Sequence, residues 1–522
     1  MKVFFFSISI LFYLAQIQGQ VENEQWYLDD STPDQFSSNI EKGHKDFGSK
    51  STTPMIVAVL DTGVDTEHED LKKQLWTNED EIPENGIDDD KNGYIDDIHG
   101  WNFLGNAEGE NIVNENLEIT RLYKKYGRQF YERSKSDISS SEKEAYSEWI
   151  KLKKEFEEKY FEAESELNLM KAVFEINNSA TEVMAAHLEN DNFTIEEVRE
   201  VRSLNEGVLE AALLLVELDD IGFTDEFIRE ILEESNSVIE YQLNVNFGPR
   251  EKILGDKLSD NTNIYYGNNN VSDPDEHGTH VSGIIAAERN NSLGINGVAS
   301  NVKIMAIRVV PDGDEYDKDV ANGIRYAVDN GAQIINMSFG KDYSPEKIFV
   351  DQAIRYAESR GVIIVLAAGN DALNIDKYDS YPDPVFNDGE KATNIIVVGA
   401  SSPFPAEIIA AEFSNYGKEK VDLFAPGMDI YSTVPNNGYQ SQDGTSMAAP
   451  VVSGAVAFLW SVYPDKDYKE IIYLIKNSTT NFSDIKLYLP SQKAKRKKSK
   501  GEKLCNTGGV LNLYRALEMG DK

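Results

Sequence analysis

Three short segments of this 522-residue chain hold side chains whose types suit nucleophilic chemistry. Asp61 begins Asp-Thr-Gly directly after an apolar run, where the carboxyl end of a strand would present it. His277 begins His-Gly-Thr-His-Val-Ser-Gly, and Ser446 lies in Gly-Thr-Ser-Met-Ala-Ala-Pro ahead of an apolar helix. A serine among small residues at a helix start can expose its hydroxyl, and the helix N-terminus favours developing negative charge. The three segments predict a serine nucleophile, a histidine base and an orienting carboxylate.

Each segment alone also has an ordinary structural explanation. An aspartate can cap a turn, a histidine can pack in a helix start, and Gly-Thr-Ser is a common helix entry. Spacing leaves a second histidine open as the base, because His280 lies three residues after His277. The order Asp…His…Ser on an α/β background favours catalysis over three unrelated structural roles.

Short apolar runs alternate with helical stretches through much of the chain, and these elements must position the three segments. The predicted strands begin at Met55, Lys303, Ile334, Val362 and Asn394. Their near-continuous apolar character is typical of a parallel sheet covered on both faces. Helices are predicted at 319–330 and 345–360. This alternation predicts an α/β fold with a doubly wound, mainly parallel sheet.

A segment of different composition and periodicity, 114–246, separates the aspartate motif from the histidine motif. It is rich in Glu, Lys, Leu and Ala, and its apolar residues recur at helical spacing, as at Trp149, Leu152 and Phe156. The pattern predicts an inserted all-α segment in a surface loop. A mostly disordered acidic linker is the alternative.

Together, the three motifs resemble the signatures of the subtilases, the subtilisin-like serine peptidases. The resemblance covers about residues 50–106 and 250–522. It implies a subtilisin-like fold in which Asp61, His277 and Ser446 form the catalytic triad.

The same resemblance extends to the residues around the triad. Ala-Ala-Gly-Asn370 resembles the family's oxyanion-hole segment, which implies that Asn370 and the Ser446 N–H bind the oxyanion. It assigns His280 to packing. It also implies a substrate-binding cleft formed by Ser338, Phe339, Gly340, Ala367, Ala368 and Gly369. Ser380 aligns with the base of the specificity pocket, and its small walls favour apolar or aromatic substrate residues.

An acidic stretch from Asp88 to Asp97 predicts a cation site. Oxygen-bearing side chains fall at positions one, three, five and nine of a loop with glycine at six, which resembles the first part of a calcium loop. His99 stands where an acid is expected at position twelve. The candidate ligands are Asp88, Asp90, Asn92, Tyr94 and Asp96. Hard oxygen ligands favour Ca²⁺ over zinc, with a solvated acidic turn as the alternative. Asp70 matches a calcium position in some subtilases, but its partner loop is not recognisable.

The N-terminus and the charge predict where the protein works. A basic start, an apolar run from Val3 to Ala15 and a small residue at Gly19 predict a signal peptide over 1–19, and hence a secreted or periplasmic protein. The chain holds 51 Lys and Arg against 90 Asp and Glu, a formal charge of −39, which disfavours nucleic-acid partners. No stable membrane insertion is expected.

The predicted organisation is a peptidase domain in two parts, 20–113 and 247–522, interrupted by the 114–246 insertion. The resemblance implies a serine-type endopeptidase that acts on polypeptides through an acyl-enzyme intermediate. The insertion is a candidate lid or partner surface. Two other functions stay open: a catalytically inactive binding scaffold, and a transpeptidase that resolves the same acyl-enzyme with an amine.

Overall fold

The computed structural model of the protein describes residues 24–30, 32, 36–258, 260, 262–272, 276–404, 406–491 and 496–522. The predicted signal peptide, 1–19, lies outside the described residues. The chain divides into two compact units. We call Asn114–Gly248 the helical unit, and Val21–Val113 with Pro249–Lys522 the sheet unit.

The sheet unit is organised around one large sheet. Its strands are β1 Met55–Asp61, β2 Gly100–Asn102, β3 Val302–Arg308, β4 Ile334–Met337, β5 Ile363–Ala367, β6 Ile395–Ser401, β7 Leu423–Pro426, β10 Thr480–Asn481 and β13 Gly509–Val510. The strand order is β10-β13-β7-β6-β5-β4-β1-β3-β2. Every neighbouring pair is parallel except β10 with β13, so the predicted mainly parallel sheet is confirmed. Two small antiparallel pairs complete the strands: β8 Ile430–Val434 with β9 Gly438–Gln442, and β11 Lys486–Tyr488 with β12 Lys498–Lys500.

Helices cover both faces of this sheet. The helices of the sheet unit are α1 Ile40–Phe47, α7 Arg250–Ile253, α8 His277–Ala286, α9 Asp317–Asp329, α10 Lys347–Ser359, α11 Thr445–Val462, α12 Tyr468–Asn477 and α13 Leu513–Gly520. Side chains alternate across β1: Val57 and Val59 join one core with α8 and α11, whereas Ala58 and Leu60 join the other with α9 and α10. Because each strand contacts an apolar core on both faces of the sheet, its sequence is a nearly continuous apolar run.

Helix α11 is the central helix of one layer and packs on β1, β4, β5, β6 and β7. In the described part of the chain it is the one helix long and apolar enough to cross a membrane by length and composition, and 94% of it is buried inside the protein.

The helical unit contains α2 Glu118–Phe130, α3 Lys143–Leu188, α4 Ile195–Arg199, α5 Glu206–Asp220 and α6 Asp225–Ser237, followed by a π-helical turn, Val238–Gln242. α3 has 46 residues, so it is about 70 Å long, and α2, α5 and α6 pack against it. Small apolar clusters fix these contacts, one of them around Met184 and Leu215. The segment is therefore helical and packed, as the periodicity predicted, rather than a disordered linker.

Candidate active site

The carboxyl edge of the sheet collects three of the predicted site residues. Asp61 is the last residue of β1, Ser338 follows β4 and Asn370 follows β5. β1 lies between β3 and β4, so the strand order reverses there, and such a switch point opens a crevice beyond the strand ends. Direct contacts bring His277 and Ser446, each in the first turn of a helix, to this edge.

Asp61 and His277 form the closest of these contacts. The Nδ1 atom of His277 lies 2.7 Å from Oδ1 of Asp61, which also accepts the Thr62 N–H at 2.8 Å. Asp61 is buried, with 1% of its surface exposed, so water screens its interaction with the neighbouring ring only weakly. Gly278 permits this approach of α8, because a Cβ there would lie 2.0 Å from the Gly63 carbonyl oxygen.

Ser446 is the second residue of α11 and is half-buried. Its hydroxyl donates a hydrogen bond of 3.0 Å to the Ser338 carbonyl, and the Ser338 hydroxyl donates one of 2.8 Å to the Ser446 carbonyl. Asn336 and Ser453 extend this network beneath the site. The network fixes α11, which carries Ser446, against the end of β4.

Asn370 is exposed, and its side chain is oriented by Thr445, the residue before the predicted nucleophile Ser446. Its Oδ1 accepts hydrogen bonds of 2.9 Å from both the N–H and the hydroxyl of Thr445. With Oδ1 engaged, Nδ2 is the group left to donate. A Cβ placed on Gly444 would lie 3.5 Å from Asn370 Nδ2 and 3.4 Å from the Ser446 nitrogen. The two predicted oxyanion donors therefore border the same small space.

His280, which spacing left open as a base, is fully buried. Its Nε2–H donates to the Gln440 carbonyl at 3.1 Å. Burial lowers the pKa of the His280 ring to about 3, so the ring is uncharged near neutral pH. His277 is the histidine in contact with a carboxylate, which supports the assignment of the first histidine as the base.

The two predicted substrate-binding segments leave the sheet side by side. β4 and β5 are paired through Met337 and Leu366, so 338–340 and 367–369 emerge as neighbours. Phe339 is half-buried and Gly340 is exposed, whereas Ala368 is buried. Ser380, the predicted pocket base, directly precedes Tyr381. The backbone of Tyr381 pairs with that of Lys341, the residue after the 338–340 segment.

The acidic stretch folds back on itself around a carboxylate cluster. Oxygen atoms of Glu81, Asp90 and Asp97 lie within 4.8 Å of one another. The amide of Asn78 donates to both aspartates, at 3.1 and 2.9 Å, and the Asn92 amide does so at 3.0 and 3.1 Å. Burial raises the pKa of Asp97 to about 6. Three converging carboxylates, two of them buried, fit a hard divalent cation.

The other predicted ligands are distributed around this cluster. The Asp88 carboxylate accepts the N–H groups of Asn92 and Gly93 at 3.1 and 2.9 Å. The Asp96 carboxylate accepts those of Asn85 and Gly86, so it is directed at a neighbouring turn. The Tyr94 ring packs among Trp101, Phe103, Tyr265 and Tyr326, which leaves its main-chain carbonyl as the ligand atom to consider.

Sequence reasoning missed Glu81 and Asp97. Glu81 lies seven residues before the loop pattern begins, and Asp97 is adjacent to the position that the pattern selects. Glu81 would have been found only by a pattern that also allowed an acid from the turn before the loop.

Asp70 also has a partner loop that the sequence did not reveal. Its carboxylate accepts the Asn291 amide at 2.6 Å, the Tyr439 hydroxyl at 3.2 Å and the Ile295 N–H at 3.4 Å. Ser292, between these contacts, has a positive φ of 65°, so the loop curls around the carboxylate.

Comparison with known proteins agrees with the geometry. A profile of the subtilase family matches residues 53–509. A thermophilic serine proteinase of Bacillus sp. (strain AK1) is 41% identical over 191 residues, 36% of this chain and 43% of its own length. Subtilisin BL of Lederbergia lenta is 35% identical over 223 residues, 42% of this chain and 77% of its own.

A solved protease structure from Pseudoalteromonas arctica PAMC 21717 overlaps 47% of this chain and 70% of its own, at 29% identity and a TM-score of 0.38. The chain spans about half the length of the first relatives that it matches, with 43% and 53% covered. The family profile nevertheless extends across most of the chain, from the first strand to the last strand of the sheet. This chain belongs to the subtilase family.

Proposed function

We propose that this protein is a secreted serine endopeptidase that hydrolyses polypeptides through an acyl-enzyme intermediate. The observation that carries the proposal is the 2.7 Å contact between His277 and the buried Asp61, at the sheet edge where Ser446 and Asn370 also lie. The family and its serine proteinase members support the same reaction class.

The proposed mechanism gives each of these groups a role, and His277 acts first as a base and then as an acid. His277 takes the proton of the Ser446 hydroxyl as its oxygen attacks the scissile carbonyl carbon. Asp61 holds the imidazole in the required tautomer and stabilises the imidazolium. The negative oxygen of the tetrahedral intermediate accepts hydrogen bonds from Asn370 Nδ2 and the Ser446 N–H. His277 then protonates the leaving amine, and water releases the acyl group by the same steps in reverse order.

Labelling with a fluorophosphonate tests the proposal. We expect one adduct on Ser446 in the native protein, none in Ser446→Ala, and new peptide termini when a denatured protein is added. Absence of the Ser446 adduct would favour the inactive scaffold. Joined peptides in place of cut ones would favour the transpeptidase.

We also propose that the Glu81, Asp90 and Asp97 cluster binds Ca²⁺ as a structural ion. The support is the convergence of three carboxylates, the burial of Asp97 and the absence of soft ligands among them. The main-chain carbonyls of the loop could complete the oxygen set. The ion would neutralise a charge cluster that otherwise opposes compaction of this loop.

Secretion is proposed from the N-terminal sequence, whose basic start, apolar run and small residue at Gly19 are typical of a signal peptide. For the helical unit we keep the hypothesis of a lid or partner surface for large substrates. Its exposed apolar side chains, among them Phe161 and Leu213, are the positions at which to test such contacts.

A further inference from the structure

The segment that should bind substrate backbone, 338–340, is held at both ends. At its start, Ser338 is tied to the nucleophile helix by its two hydrogen bonds with Ser446. At its end, Lys341 exchanges two backbone hydrogen bonds with Tyr381, of 2.9 and 3.0 Å. Among the described residues, no hydrogen bond uses the peptide groups of Phe339 or Gly340. Two open peptide groups between two fixed ends are what an added substrate strand requires.

The side chain of Lys341 is unusual for a residue next to an open cleft. It turns inward and only 2% of it is exposed. Its ammonium group lies 3.0 Å from the Asp317 carboxylate, itself 4% exposed, and donates to the Glu315 carbonyl at 2.6 Å. Burying a lysine charge is costly unless it is paired, so this pair specifies one position for the lysine backbone.

Asp317 is itself fixed. It is the first residue of α9, and its carboxylate accepts hydrogen bonds of 2.8 Å from the Ser344 hydroxyl and the Glu346 N–H. The next two residues of α9, Lys318 and Asp319, are also buried in ion pairs. Lys341 is therefore anchored to a rigid turn.

We propose that Lys341 is a positioning residue, which acts through the 338–340 segment to hold the cleft edge that binds substrate residues before the scissile bond. This inference rests on the proposed peptidase function. The contacts described for Lys341 are with Glu315, Asp317 and Tyr381, so the proposed role concerns binding of extended substrates and not the bond-breaking step itself. Loss of the Lys341–Asp317 ion pair frees the end of the 338–340 segment. The increase in kcat/KM that comes with a longer substrate peptide then becomes smaller.

The test compares Lys341→Met with the native protein on peptides that share one cleaved bond but carry one to four residues before it. We expect kcat/KM for the four-residue peptide to fall about tenfold, while that for the one-residue peptide and the rate of fluorophosphonate labelling stay within about twofold. The conservative Lys341→Arg variant should recover part of the kcat/KM that Lys341→Met loses on the four-residue peptide.

Two further variants keep the test decisive. Should Lys341→Met not fold, the double variant Lys341→Met with Asp317→Asn removes both charges, an exchange that buried pairs often tolerate. Lys476→Met is the matched control, because it breaks another lysine contact with a buried carboxylate, that of Asp422, away from the cleft. It should lower stability without changing the dependence on peptide length.

Equal losses on short and long peptides, or no loss on either, would overturn the positioning role. Failure of the proposed function looks different, because the native protein would then show neither labelling nor cleavage of any peptide.

Discussion

At the residue scale, the role of Asn370 depends on its neighbour Thr445. A free carboxamide can rotate and present either its oxygen or its nitrogen. Two hydrogen bonds from Thr445 hold the oxygen, so the nitrogen is left to donate at the proposed oxyanion position. Donors fixed in advance cost no reorganisation during the reaction.

We expect Asn370→Ala to lower kcat by about 10²–10³-fold, with little change in KM. This is the loss measured in subtilisin when its own oxyanion asparagine is removed, about 2.7–4 kcal/mol. Steady-state kinetics on a four-residue peptide measure it, with the exposed Asn477→Ala as control. A KM increase at constant kcat would contradict the role.

Glu315, beside the anchored Lys341, should give the stability of the protein a pH dependence. Burial raises its pKa to about 7; Lys341 opposes this shift, and Asp314 and Asp317 add to it. The folded state therefore keeps a proton that the unfolded chain releases near its ordinary pKa of 4.5. Stability is lost as pH rises between these two values, by up to about 3 kcal/mol at 1.4 kcal/mol per unit.

Glu315→Gln has no such proton to lose. Relative to the native protein, its Tm should therefore rise between pH 5.5 and pH 8.5. Calorimetry at both pH values measures the difference. A constant difference between the two proteins would show that Glu315 ionises normally in the folded state.

At the element scale, the position of α8 against β1 sets the Asp61–His277 contact. Gly278 makes that position possible, since any side chain there would collide with the Gly63 carbonyl. The motif glycine thus serves close packing of helix on strand rather than a special backbone angle.

Gly278→Ala should displace His277 and slow fluorophosphonate labelling of Ser446 by about 10²-fold or more, the typical contribution of a general base. Thermal unfolding measured in parallel separates this effect from global loss of structure. Gly248→Ala, where a Cβ meets nothing within 4 Å, is the control. An unchanged labelling rate would mean that α8 adjusts without moving the histidine.

The acidic loop is the second element whose geometry predicts a measurable property. A chelator should lower Tm, because an ion at 100 times its Kd stabilises the folded state by about 2.7 kcal/mol. Asp97→Asn should abolish this calcium dependence, whereas the exposed Asp465→Asn should keep it. A chelator-independent Tm in the native protein would remove the calcium proposal.

At the scale of the whole molecule, two units with separate apolar cores share one chain. The two large clusters around the sheet draw their described residues from the sheet unit, and the cluster around Met184 draws its own from the helical unit. A compact insertion of this size at a loop is compatible with the sheet, because loops tolerate long additions at little entropic cost.

Replacing Asn114–Gly248 by a short flexible linker should preserve cleavage of a four-residue peptide. If the helical unit is a lid or partner surface, cleavage of folded proteins relative to that peptide should change by about tenfold, or about 1.4 kcal/mol. Equal rates on both substrates and an equal folding yield would reduce the unit to a neutral surface addition.

The sequence alone determined the parallel sheet and the candidate catalytic side chains, because apolar runs and short motifs are local signals. β1 and β3–β6 begin within a residue of their predicted starts for this reason. Three features required the tertiary structure: the convergence of Glu81 with Asp97, the loop around Asp70, and the buried pairing of Lys341 with Asp317. Each joins residues from different turns or elements, and burial, which decides where a charge must find a partner, is a property of the folded chain.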